Sequence, residues 1–213
     1  MKNIISIDPS LSSTAIVVRN SHYQYFSFFK DFKENNKWCK DLSPFVQFSV
    51  LNKFLSVEDF SENEMLKFNQ YLELAKNIET VLLPYLSNAE IRIESYSQGS
   101  KNGKFQDLIT FGTLLRYRLL RHCPHITSVP PKQLKKEAAK LVYMPDKKGI
   151  IRNKDGKAAG SFNKWDMFQT LIDSNIHNEL ATYCQKRYKL ITANKNVPKP
   201  IEDLIDALFL NLI

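Results

Sequence analysis

An α/β fold, a mixed β-sheet of about five strands flanked by helices, is what the sequence predicts, and three observations carry the prediction. Two short β-branched runs open the chain (NIISIDP at 3–9, STAIVVR at 13–19). Strand-length apolar runs then alternate with longer stretches of three- and four-residue apolar periodicity. The resulting order, three strands and then helix, strand, helix, strand, helix, belongs to sheets covered by helices.

The elements follow in order. PSLSS makes the turn between the first two strands, and HYQYFSFF (22–29) continues as a third strand rich in Tyr and Phe. Residues 31–61 alternate polar and aromatic character without clear period and read as an elaboration. From 62 to 86 the residues Met65, Phe68, Leu72, Ala75, Ile78, Val81 and Leu82 mark an amphipathic helix ending near Pro84. AEIRIES (89–95) alternates like a strand. Phe105, Leu108, Ile109, Gly112, Leu115 and Leu119 mark a helix to about 121, HITSV (125–129) is a short strand, and Pro130-Pro131 opens a helix to about 141. Residues 145–161 hold three of the six glycines and a DG pair, the signature of a flexible hairpin or loop. Helices follow at 163–174, at 176–188 and from about 200. No internal repeat is evident, and the chain reads as one domain, 1–213.

Composition narrows the function. A hydrophobic fraction of 43% excludes a disordered polyelectrolyte, and no apolar run approaches the roughly 18 residues of a membrane span. Asp8 and Pro9 break the N-terminal apolar run too early for a signal peptide. Cys39, Cys123 and Cys184 are odd in number and far apart, which favours a reducing, cytoplasmic compartment. The net charge is +8, and residues 130–164 hold ten basic side chains against three acidic ones. A field of one sign so concentrated suits a polyanion, because each Lys or Arg near a phosphate releases condensed counterions. Lys132, Lys135, Lys136, Lys147, Lys148, Arg152, Lys154, Lys157 and Lys164 are the candidate DNA contacts; a solvated lysine-rich surface is the competing reading.

The acids point to chemistry. Asp8 ends an almost wholly apolar first strand, Glu94 ends AEIRI, and Asp203 and Asp206 project from one face of the last helix. Taken singly each has a plain role: Asp8 as a turn residue before Pro9, Asp203 in a helical first turn where acids meet the macrodipole. Together, carboxylates converging from distant parts of a chain repel one another and need a cation, and an all-oxygen set suits Mg²⁺ or Mn²⁺.

These residues resemble a known family. Ile7-Asp8-Pro9-Ser10, with Thr14 following, is similar to the IDPG…TG opening of the RuvC-type Holliday junction resolvases. Ile93-Glu94-Ser95 resembles their second acidic strand end, and Asp203-x-x-Asp206-Ala-Leu resembles their C-terminal helix motif. Ser10 and Ala15 stand where glycines are usual, and residues 31–61 and 145–161 look like insertions relative to compact members; these departures and the Lys/Asn-rich composition resemble divergent phage and viral members. The resemblance implies a ribonuclease H-like fold with Asp8, Glu94, Asp203 and Asp206 holding two divalent ions. It also implies hydrolysis of phosphodiesters to 5′-phosphate and 3′-hydroxyl ends, a homodimer on a four-way junction, and the cytoplasm of a bacterial or phage-infected cell. Two such ions can activate a water and stabilise the leaving oxygen, and a lysine among Lys132, Lys135, Lys136 and Lys164 would offset transition-state charge. The 105–121 helix, with Phe111, Leu114 and Leu120 beyond one apolar stripe, could provide the dimer face or could simply be buried on several sides. Tyr96 and Phe105, flanking SYSQGSKNGK, could wedge into an opened junction by stacking on bases or could simply be core. Two alternatives remain at this stage: a broader branched-DNA, flap or RNA–DNA nuclease of the same fold, and a non-catalytic DNA-binding module. An actin-like phosphotransferase is disfavoured by the lack of a second Gly-rich phosphate motif.

Overall fold

The computed structural model describes residues 2–11, 13–30, 37–51, 56–96, 104–193 and 197–213. Its centre is a six-stranded sheet formed by β1 (Asn3–Asp8), β2 (Ser13–Arg19), β3 (Tyr23–Lys30), β4 (Val46–Leu51), β5 (Ala89–Glu94) and β6 (Ile126–Val129), in the order β4-β3-β2-β1-β5-β6. β1, β2 and β3 pair antiparallel, whereas β5 and β6 run parallel to β1. Parallel neighbours need crossovers, and these are supplied by α2 (Phe60–Leu86) before β5 and α3 (Lys104–Leu120) before β6.

Period-two alternation sorts the side chains between the two faces. Ile5, Ile7, Ile91 and Ile93 turn to one face, where they pack with Leu74, Ile78 and Leu82 of α2 and with Phe111 and Leu115 of α3. On the other face the core contains Ala15, Val17 and Tyr25. It is covered by α4 (Pro131–Lys140), α5 (Lys164–Asp173), α6 (Glu179–Lys186), α7 (Tyr188–Thr192) and α8 (Ile201–Leu212). With both faces covered, β1 and β2 read as near-continuous apolar runs.

The structure adds to the sequence reading in three places. The segment 31–61 contributes a helix, α1 (Lys37–Leu42), and a sixth strand, β4, lying parallel to β3 at the sheet edge; its residues 31–36 and 52–55 are outside the described set. The expected helix at 176–188 is divided into α6 and α7, with Arg187 between them. Of the residues that could serve either a dimer face or a core, Phe111 is fully buried in this chain's own core; Leu114 is half-buried against the same core, and Leu120 is exposed. Among the described residues no helix is long and apolar enough to cross a membrane.

α2 and α3 are clasped by a buried carboxylate. Glu79 on α2 pairs with Arg118 on α3, and its Oε1 lies 2.7 Å from His122 Nε2. Burial pushes the Glu79 carboxyl up, but the hydrogen bonds from His122 and Arg118 outweigh it and hold the group below its usual value. The contribution is therefore present above the ordinary glutamate range and lost as pH falls through the depressed value. Glu79→Ala is expected to cost about 2 kcal/mol at neutral pH, less than a fully buried pair because Arg118 and His122 can rehydrate. Chemical denaturation at pH 7 and pH 4 checks this: the cost shrinks at the lower pH.

Candidate metal centre

Asp8 is the last residue of β1 and Glu94 the last of β5. The two strands are parallel and in register, Ile7 opposite Ile93, so both acids leave the sheet at the same end. Alternation turns both to the face that carries α8. From that helix comes Asp206, and the three carboxylates offer oxygens that all lie within 4.8 Å of one another. Asp203 sits one helical turn earlier, 2% exposed, and lines the same cleft of about 290 Å³.

The turn after Asp8 is fixed locally. Thr14 Oγ1 donates to the Ser10 carbonyl at 2.8 Å and accepts from the Ser10 N–H at 3.3 Å. α8 is fixed by Asn211, whose buried amide nitrogen lies 2.9 Å from the Ile4 carbonyl, 3.1 Å from the Val17 carbonyl and 3.2 Å from Ser6 Oγ. Arg92, on the same face of β5 as Glu94, donates to the Asn211 carbonyl at 3.1 Å. These contacts bind α8 to all three strands beneath it and so set where Asp206 stands. The sequence reading missed Asn211 and Arg92. Asn211 is a lone polar residue in the apolar run ALFLNLI, whereas Arg92 is one of three charged residues alternating in AEIRIE and carries no such local signal.

The electrostatics are those of an under-compensated acidic site. Burial raises the Asp8 carboxyl well above the usual aspartate value, and Glu94, Asp203 and Asp206 raise it further. Burial also raises Glu94, against the lowering influence of its hydrogen bond with Asp8 and then of Lys135 and Lys164. Asp206 is pushed up to about 7, first by burial and then by Glu94. A raised carboxyl means that the folded state binds more protons than the unfolded one between the two values. Stability then falls as pH rises across that window. The metal-free protein is expected to lose stability between about pH 4 and pH 7. Melting in a chelator across this range checks it, and a midpoint that rises toward pH 7 would contradict the arrangement.

Three lysines border the acids. Lys164, at the start of α5, pairs with Glu202 and lies 4.0 Å from Asp203. Lys199 places Nζ 3.2 and 3.3 Å from the two Asp203 oxygens, a contact the sequence reading did not anticipate. Lys135, on α4, lines the cleft and meets no carboxylate at ion-pair distance among the described residues.

The remaining candidate contacts divide. Lys132 and Lys136 line a separate groove beside α4. Lys147 and Lys148 are exposed in a turn. Arg152 pairs with Asp146, Lys154 with Asp173 and Lys157 with Asp166, so part of the basic excess is held by local carboxylates. Tyr96 packs edge-on to Phe105, and its hydroxyl accepts from Arg116 Nη1 at 2.6 Å. Gly112 makes that seat: a Cβ there would lie 1.5 Å from the Tyr96 hydroxyl oxygen. The structure thus packs Tyr96 onto Phe105, Gly112 and Arg116 of α3, and residues 97–103 between the two aromatics lie outside the described set.

The chain has a ribonuclease H-like fold. Compared with solved structures, it aligns over 100% of its length with 91% of Thermus thermophilus RuvC in complex with Holliday junction substrate, at TM-score 0.50 and 11% identity. A second Thermus thermophilus RuvC structure gives TM-score 0.42 at 13% identity, covering 99% of this chain and 91% of that one. The Mn-soaked, inhibitor-bound human cytomegalovirus terminase nuclease domain gives 0.36 at 13% identity, covering 98% and 81%. No family model matches the sequence, and no curated protein matches it.

Proposed function

We propose that this chain is a divalent-metal-dependent endonuclease that resolves four-way DNA junctions, acting as a homodimer. The observation that carries the reading is the convergence of Asp8, Glu94 and Asp206 from three separate elements, with Asp203 in the same cleft. Hard oxygen donors, mutual repulsion and raised carboxyl values fit a divalent cation in a way that no neutral partner would. Asp8, Glu94 and Asp206 would hold Mg²⁺ or Mn²⁺, with Asp203 completing a second position once Lys199 releases it. Such ions supply Lewis-acid activation of water and charge stabilisation at the leaving oxygen.

The chain's own residues do the rest. Asp8, anchored on the central strand, fixes the register of the site. Lys135 faces the phosphate and offsets charge developing on its oxygens. The rim of exposed apolar groups on α3, Ile109, Tyr117 and Leu120, is the face available for two-fold pairing, matching a two-fold substrate. The alignment with RuvC bound to a junction supports the choice of substrate.

A cleavage panel tests the reading. Four-way junction, fork, flap, linear duplex and RNA–DNA hybrid are incubated with the protein, with and without Mg²⁺ or Mn²⁺. Symmetric, metal-dependent cutting of the junction and little of the linear duplex is expected. Equal cutting of all substrates would reduce the reading to a general nuclease. No cutting with retained binding would favour a DNA-binding module.

A further inference from the structure

The segment 145–161, expected to be a flexible hairpin or loop, is built from one seven-residue unit used twice. In the first, Asp146 Oδ1 accepts from the backbone N–H groups of Lys148 and Ile150 at 2.8 and 2.9 Å, and Gly149 N–H donates to the Asp146 carbonyl at 2.8 Å. In the second, Asn153 Oδ1 accepts from Asp155 and Lys157 at 3.2 and 2.9 Å, and Gly156 N–H donates to the Asn153 carbonyl at 2.9 Å. Both glycines have positive φ, 74° and 80°, which the turn requires. The bridges closing the units, Pro145 to Ile151 and Arg152 to Ala158, are also seven residues apart.

This strap is anchored to α5. Asn153 Nδ2 donates to Asp166 at 3.3 Å, Lys157 pairs with Asp166, and Lys154 reaches Asp173 at 2.8 Å. Between the strap and α4 runs a groove of about 390 Å³. One wall is a stripe of lysines, Lys132, Lys136 and Lys140, at successive four-residue steps of about 6 Å along the helix. The opposite wall is Gly149–Ile151 and residues 158–161, and the first turn presents Lys147 and Lys148 to solvent. Glu137 is the one acid among the described lining residues, and it is paired with Lys140 at 2.6 Å.

We propose that this groove holds the sugar–phosphate backbone of a duplex arm of the nucleic-acid substrate, away from the bond that is cut. The proposal rests on the nuclease reading of the acidic cleft. Charge sets the partner, since a lysine stripe at that spacing meets successive phosphates of one strand. The lining sets the mode. No aromatic ring is among the described lining residues, so there is no platform on which bases would stack, and contact is with backbone rather than sequence. α4 connects the two regions, with Lys135 on the cleft side and Lys132, Lys136 and Lys140 on the groove side. A strand leaving the cleft therefore passes over α4 into the groove.

The test is the salt dependence of binding, read by fluorescence anisotropy in a chelator so that cutting plays no part. Two four-way junctions are used, one with long arms and one with arms trimmed to the crossover. The variant carries Lys132→Gln, Lys136→Gln and Lys147→Gln in the full chain. On long arms the slope of log affinity against log salt should fall by roughly two to three, at about 0.9 for each phosphate that is no longer neutralised. On trimmed arms variant and wild type should coincide. An unchanged slope on long arms overturns the proposal. So does an equal fall in a charge-matched variant elsewhere, Lys2→Gln, Lys76→Gln and Lys189→Gln. Mn²⁺ binding, followed by electron paramagnetic resonance, separates the two readings. Its absence in the wild type would remove the metal centre and leave the groove result standing.

Discussion

Asp8→Asn is expected to lower Mg²⁺-dependent junction cleavage by about three to four orders of magnitude while leaving junction binding close to wild type. The size follows from the several kcal/mol that metal-held charge stabilisation supplies, at 1.36 kcal/mol per tenfold in rate. The retained binding follows from placement, because the lysines lie outside the acidic triad. A third signature separates loss of a ligand from loss of fold. Asp8 is held well above the usual aspartate value by burial and by three neighbouring acids, so its ionised form destabilises the metal-free protein. The neutral amide removes that repulsion. In a chelator at pH 8 the variant should melt a few degrees above wild type, and near pH 4, where the wild-type carboxyl is protonated, the gap should close. Added Mg²⁺ should raise the wild-type midpoint and not the variant's. Unaltered cleavage in Asp8→Asn would remove Asp8 from the site.

The site was legible in the sequence to the extent that its residues sit at element ends. Asp8 closes a mostly apolar strand and Glu94 an alternating one, and alternation with parallel pairing is enough to bring them side by side. Asp203 and Asp206 share a helix face, yet the structure separates them: Asp206 joins the triad, and Asp203 is engaged by Lys199. That difference rests on Lys199, four residues from Asp203 in sequence but placed before α8, where helical spacing does not set its position. The basic segment shows the same limit. Its charge was countable, but the acids that pair with it include Asp166 and Asp173 on α5, and only folding brings them near. The seven-residue repeat was missed because its two copies share little beyond an Asp or Asn, a Lys and a Gly. The recurring feature is a hydrogen-bond pattern that Asp and Asn make equally well, since each offers the same Oδ1.

Asn211→Asp should destabilise the chain by about 3–5 kcal/mol at pH 7 although it is isosteric. The side chains match in shape, so packing is preserved and the effect isolates hydrogen bonding. Asn211 is fully buried, and its amide nitrogen faces two carbonyls and a hydroxyl, while its Oδ1 meets no partner among the described residues. Replacing that NH₂ by a carboxylate oxygen sets an acceptor against the Ile4 and Val17 carbonyls. It also buries a charge, and the adjacent Ser6 hydroxyl already donates to the Val17 carbonyl at 3.1 Å. Asn211→Leu, which removes donor and charge together, should cost less, about 2 kcal/mol, because it leaves no ion in the core. The order Asp worse than Leu, measured by denaturant melts at pH 7, distinguishes a donor lock from mere space-filling; the reverse order would contradict it. Function should follow position. Asn211 stitches α8 to β1 and β2 five residues beyond Asp206, and without it α8 can turn or slide on the sheet. The leucine variant, still folded, should therefore bind Mn²⁺ more weakly than wild type although every carboxylate remains, because a ligand set drawn from three elements is only as well placed as the contacts that hold those elements together.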